Sequence, residues 1–165
     1  MKFKKSYKLL ILTLLMGVLL GLCGCGPNPK NFTHGDLTIT LTDEFEEKTM
    51  DMFDAYYTAE HVAFTAREET NEVLEYAGYE INTLKDYCHE IVVLNGVKPS
   101  DLIQRGDYYY FTNTKTVSGA NYTYIHCMFE GSNSYWICEF TCKTKDYDKY
   151  KDDIFKWADS ITIEK

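Results

Sequence analysis

Basic residues are scarce in this 165-residue chain: 17 Lys and Arg stand against 25 Asp and Glu, a formal charge of −8. Such a balance excludes the clustered cations that a nucleic-acid surface needs to displace counterions. It also disfavours docking on anionic headgroups through charge alone. The chain contains no Cys-x-x-Cys, so the usual signature of a thiol-redox centre is missing. Its four histidines, His34, His61, His89 and His126, lie in neither a His-Glu-x-x-His run nor a triad-like context. No acids are spaced around a glycine as in an EF-hand, which leaves calcium without a loop. Internal repeats and low-complexity tracts are absent too, and nothing implies a cofactor. Beyond residue 26 there is no apolar run of about 20 residues, the length a spanning helix needs.

What is present begins at the amino terminus. Lys2, Lys4, Lys5 and Lys8 precede a run from Leu9 to Leu22 interrupted only by Thr13, Gly17 and Gly21. A charged start, a short apolar stretch and small residues form the three-part build of an export signal. Leu22-Cys23-Gly24-Cys25 resembles a bacterial lipobox, implying cleavage after residue 24 and a thioether-linked diacylglycerol on Cys25. Cys23 is the weaker candidate, because bulky Leu22 would precede its cut while Gly24 precedes Cys25. Residues 1–24 are therefore expected to be a lipoprotein signal peptide, and residues 25–35, rich in Pro, Gly and Asn, a lipidated tether. Two acyl chains suffice for stable attachment. The expected location is the outer face of a bacterial cytoplasmic membrane. Removing the leader takes four lysines and no acid, so 13 basic residues face 25 acids and the mature charge is near −12.

Residues 36–165 are expected to form a single domain with one core. Leu37, Ile39 and Leu41 alternate with threonines as a half-buried strand does. A second strand region covers Ala55 to Arg67, with most of residues 45–53 as loop. Asn71 to Ala77 fits a short helix stopped by Gly78. Thr83 and Asp86 have capping-box spacing, and Leu84, Tyr87, Cys88, Ile91 and Leu94 form one helical stripe up to Asn95-Gly96. Three strands follow, over residues 107–114, 120–130 and 134–143, the last two joined by a turn at Gly131-Ser132-Asn133. Asp146 opens a final helix, and residues 161–163 suit a closing strand. Hairpin connections predict an α+β fold, an antiparallel β-sheet flanked by helices.

The runs DLTITLTDEF, TLKDYCHEIV, and YWICEFTC leading to YDKYKDDIFKWADSITI resemble small Firmicutes lipoproteins. Their layout is similar to the PsbP and Mog1 superfamily, an α-β-α sandwich. The resemblance covers most of residues 36–165 and rests on element order and aromatic placement, not on a catalytic motif. It implies a PsbP/Mog1-like fold and a non-enzymatic binding or assembly role, and it transfers no single activity.

Four cysteines remain outside the leader and anchor: Cys88, Cys127, Cys138 and Cys142. Cys138 and Cys142 on one strand would be about 13 Å apart, beyond the roughly 7 Å that a disulfide tolerates. The turn at residues 132–133 sets Cys127 opposite Cys138, close enough to bridge or simply to pack as buried thiols. The same register sets His126 opposite Glu139. That pair suits an orienter–base couple, two zinc ligands, or a half-exposed cross-strand ion pair, the last being simplest. Tyrosine clusters in Tyr108-Tyr109-Tyr110 and recurs at Tyr122, Tyr124 and Tyr135. Such rings favour binding surfaces and also favour strands. Arg105-Gly106-Asp107 matches an integrin-binding tripeptide, but a glycine turn before a strand explains it better.

The leading expectation is a lipid-anchored binding or accessory module without catalytic activity. Tyr108, Tyr110, Tyr124, His126 and Glu139 would contact an unidentified protein or small ligand. The alternative is a cell-surface hydrolase or metal-dependent enzyme built on His126 and Glu139, which needs a third polar group nearby. Thiol or metal handling through Cys127 and Cys138 is a third possibility.

Overall fold

A computed structural model describes residues 26–165; the expected leader and Cys25 lie outside the described residues. The elements, in order, are β1 (Pro29–His34), β2 (Leu37–Thr42), β3 (Glu46–Glu47), β4 (Ala55–Thr58), β5 (Val62–Thr70), α1 (Asn71–Tyr76) and α2 (Leu84–Leu94). Then come β6 (Ile103–Arg105), β7 (Tyr108–Val117), β8 (Ala120–Glu130), β9 (Ser134–Lys143), α3 (Tyr147–Ala158) and β10 (Thr162–Ile163). Every pairing is antiparallel. Seven strands form the main sheet in the order β3-β4-β5-β9-β8-β7-β6, and β1-β2-β10 form a second, smaller sheet. The α+β class and the antiparallel sheet flanked by helices are as the sequence predicts; the second sheet is not.

Each layer follows from local pattern. Leu37, Ile39 and Leu41 of β2 are buried while the intervening threonines stay partly exposed. They join one face of the main sheet and α3 in the larger core, with Phe64, Ile125, Trp136, Phe140 and Ile154 at its centre. The opposite face packs under α1 and α2 in a smaller cluster of Leu74, Tyr87, Cys88, Ile91, Val92, Phe111, Met128 and Tyr135. Helix α2 starts where its cap predicts: Thr83 Oγ1 accepts the Asp86 N–H at 3.2 Å and donates to the Asp86 carboxylate at 2.9 Å. Its stripe ends early, because Val92 is buried and Leu94 is 65% exposed.

Two expectations are corrected. Residues 29–34, expected within a tether, form β1, because Phe32 buries itself against Tyr57 with ring centroids 4.6 Å apart. The first described strand therefore starts at residue 29, within the expected tether. Residues 55–67 are not one strand: the Ala59 N–H bonds back to the Val62 carbonyl, making a β4–β5 hairpin with Tyr57 opposite Phe64. Most of residues 45–53 is loop, as expected, with a two-residue strand at Glu46–Glu47 and Phe45 buried edge-on against Trp157 at 5.2 Å. In the Ser118-Gly119 turn both residues take positive φ, 50° and 81°, the two-residue geometry that matches strand twist between β7 and β8.

Candidate functional site

Side chains alternate along a strand, and directly opposed residues share a face. The pairings Phe111↔His126↔Glu139↔Thr65 therefore lie on the α2 side, and Tyr110↔Cys127↔Cys138↔Ala66 on the α3 side. Helix α2 covers only part of its face, over Phe111, Met128 and Tyr135. Beyond that boundary Tyr122, Tyr124, Glu139 and Thr141 remain partly exposed. His126 stands at the boundary.

The His126–Glu139 register is as the turn predicts, but its environment differs. The imidazole is 2% exposed and Glu139 25%, so the pair is not a half-exposed ion pair. The ring stacks on Phe111 at 4.4 Å, and Tyr124 lies near-parallel at 6.2 Å. Its Nε2 is 3.3 Å from Asn113 Oδ1, and its Nδ1 is 3.0 Å from Glu139 Oε2. The latter contact is close but off the hydrogen-bond axis, so it acts as an electrostatic contact rather than an aligned bond. Two acceptor oxygens face one ring. With Nε2 protonated the ring donates to Asn113 Oδ1 and Nδ1 is left without a hydrogen bond. Glu139 is steadied further by Thr141, whose hydroxyl donates to Oε1 at 3.2 Å.

Beside this pair is a cavity of about 170 Å³ lined by Phe53, Thr65, Arg67, Asn95, His126, Ile137 and Glu139. Arg67 projects from β5 on the same face, two residues beyond Thr65, and donates to Glu69. Asn95, just past α2, donates to the Ile91 carbonyl at 3.0 Å and accepts from Lys115 Nζ at 3.1 Å. Among the described residues, no three His, Cys, Asp or Glu side chains are grouped to hold a metal ion.

Tyr108 and Tyr110 do not join this face. Tyr108 is buried, with its ring 4.8 Å from Phe129 and its hydroxyl donating to Asp159 at 2.9 Å. Tyr110 packs edge-on against Phe155 of α3 at 4.9 Å. Of the expected contact residues, the fold thus brings together Tyr124, His126 and Glu139 and sends Tyr108 and Tyr110 to the other side of the sheet. The residues missed were Phe53, Arg67, Asn95 and Asn113. Alternation from Thr65 finds Arg67 once β5 is known to pair with β9, a non-local pairing without a sequence signal.

A larger groove, about 690 Å³, lies elsewhere, between the β6–β7 turn, the end of α3 and β10. Its charges, Asp107 apart, are paired with each other. Arg105 forms a two-pronged bond to Asp159 at 2.6 and 2.7 Å, and Lys165 meets Glu130 at 3.0 Å. Arg105 is thereby engaged within the fold, and Gly106 makes the turn at φ 56°. The smaller cavity, which gathers His126, Glu139 and Arg67 beside the uncovered part of the sheet, is the stronger candidate. Cys127 and Cys138 oppose each other as the register predicts, and they are free, fully buried thiols rather than a disulfide. Burial pushes both thiols up, Cys88 to about 12.

No protein-family model matches the sequence, nor does any curated protein. Solved structures do match in shape. A crystal structure from Bacteroides thetaiotaomicron is 13% identical, with a TM-score of 0.59 over 82% of this chain. The match spans 48% of that protein, about half its length. The Saccharomyces cerevisiae Ran-binding protein Mog1p is 9% identical, with a TM-score of 0.52 over 84% of this chain and 96% of its own. The cyanobacterial PsbP of Synechocystis is 9% identical, with a TM-score of 0.49 over 87% of this chain and 99% of its own. Likeness at this identity is likeness of fold: the chain has a Mog1-like architecture.

Proposed function

We propose that this chain is a membrane-tethered, extracytoplasmic binding module without catalytic activity, lipidated at Cys25 and contacting its partner through the uncovered part of the α2-side sheet face. The observation that carries the reading is the row Tyr122, Tyr124 and Glu139, left partly exposed where α2 stops. Tyrosines beside fixed polar groups give contact area at low entropic cost. Mog1p, a protein of this fold, is described as Ran-binding, so the architecture is compatible with protein recognition. The lipobox-like end and the basic, apolar leader support the anchor.

The enzyme alternative draws no support from His126. A general base needs a nitrogen open to substrate, and this ring is buried with both nitrogens facing Asn113 and Glu139. A photoreactive amino acid replacing Tyr124 should capture a reproducible partner in native membranes, whereas one replacing exposed Thr33 of β1 should not. Equal capture at both positions, or none, overturns the binding face. The anchor is tested separately: Cys25→Ala should abolish acyl labelling and release the protein from the membrane fraction.

A further inference from the structure

We propose that the cavity beside His126 binds a small zwitterion, a free α-amino acid, with Arg67 receiving its carboxylate and Glu139 its ammonium group. The inference rests on the binding-face reading above and names the ligand class of its recessed part.

Arg67 opposes Ile137, and Glu139 opposes Thr65, so the two charges are diagonal neighbours on adjacent strands of one face. Side chains that long reach each other across such a diagonal. They do not pair. Arg67 turns to Glu69, while Glu139 is kept in place by Thr141 and by the His126 ring edge. Both nevertheless line the same cavity, where Glu69 engages one guanidinium nitrogen of Arg67 and Glu139 brings a carboxylate to the other wall. A simple anion entering it meets the Glu139 carboxylate. A simple amine meets the Arg67 guanidinium. A molecule carrying both charges satisfies both walls, and the guanidinium fork suits a carboxylate in particular.

Size and lining agree with this class. At about 170 Å³ the cavity is well below the roughly 300–1,000 Å³ of pockets that enclose drug-sized ligands. Phe53 and Ile137 offer apolar contact to an aliphatic side chain, and the Thr65 hydroxyl supplies a hydrogen-bonding group. His126, itself nearly buried, closes the wall beside Glu139, with Nδ1 3.0 Å from Oε2.

The test uses the detergent-solubilised full-length protein and titration calorimetry with alanine, leucine, acetate and ethylamine. Alanine or leucine should bind saturably, and acetate and ethylamine at least tenfold more weakly. Glu139→Gln and Arg67→Gln should each weaken binding tenfold or more, while Tyr110→Phe, on the opposite face, leaves it unchanged. Circular dichroism and thermal midpoints check that the variants fold; Arg67 is about half exposed, so its variant stays informative if Glu139→Gln does not fold. Absence of saturable binding, acetate or ethylamine binding as tightly as the amino acids, or unchanged affinity in folded Arg67→Gln overturns the inference. If no amino acid binds but position 124 still captures a partner, this inference falls and the binding face stands.

Discussion

Cys88, Cys127 and Cys138 are fully buried, and Cys142 nearly so. Desolvation raises all four thiols above their ordinary value, which favours the neutral, unreactive form. A thiol reagent should therefore leave these four cysteines untouched in the folded domain at pH 8 and modify all four after denaturation. Two missing equivalents would reveal a bridge. Because folding suppresses thiol ionisation, these groups also withdraw stability as pH climbs past the ordinary thiol value of 9.0. At the other end of the scale stands Asp159, whose carboxyl is pulled below its ordinary value of 3.8 chiefly by hydrogen bonds from Arg105, with Tyr108 adding to them. A depressed acid contributes stability above its unfolded value and loses it as pH falls through the folded one. Both partners are 43% exposed, so solvent screening keeps the contribution small. Arg105→Gln should cost about 0.2–1 kcal/mol at pH 7. In urea melts, the gap from the native protein should close once pH drops below the depressed value.

At the scale of elements, α2 shows how far local signals reach. The Thr83 hydroxyl satisfies a first-turn donor, so Thr83→Ala should cost about 1 kcal/mol in chemical denaturation. Gly78, just past α1, has φ 86° and open space around its Cα. Gly78→Ala should then cost about 1 kcal/mol through backbone strain alone, and a neutral result would contradict the left-handed stop. These features were legible because cap and stripe lie within four residues of one another. The β8–β9 register was legible for the same reason, since a short turn fixes which residues oppose one another. The β4–β5 hairpin was not. Its turn, Ala59-Glu60-His61, lacks Gly, Pro, Asn and Asp, so only the pairing of Tyr57 with Phe64 reveals it. Leu94 misled in the opposite sense: it keeps the helical period but lies where the sheet no longer covers the helix.

For the molecule as a whole, the main consequence is where the fold begins. Strand β1 starts at Pro29, so on the proposed lipidation only residues 26–28 separate it from the anchor. Four residue steps at most span about 13 Å, which places the small sheet against the headgroups instead of on a long stalk. Phe32 is what binds this strand into the large core, against Tyr57. Phe32→Ala should lower stability by about 3–5 kcal/mol, and proteolysis should then cut near residues 29–34 while sparing β2. Loss of the cut site's new exposure, with stability unchanged, would show that β1 is dispensable.

The sequence by itself determined the kinds of elements, the antiparallel α+β class, the α2 cap and the opposition of His126 to Glu139, because each is encoded by residues near one another along the chain. Tertiary structure alone decided that Tyr110 turns away from His126, that Arg67 arrives beside Glu139, and that residues 29–34 belong to the fold. Those outcomes depend on which distant strands become neighbours and which face a helix covers. Both are settled by burial of the whole apolar surface at once, a quantity no short stretch of residues contains.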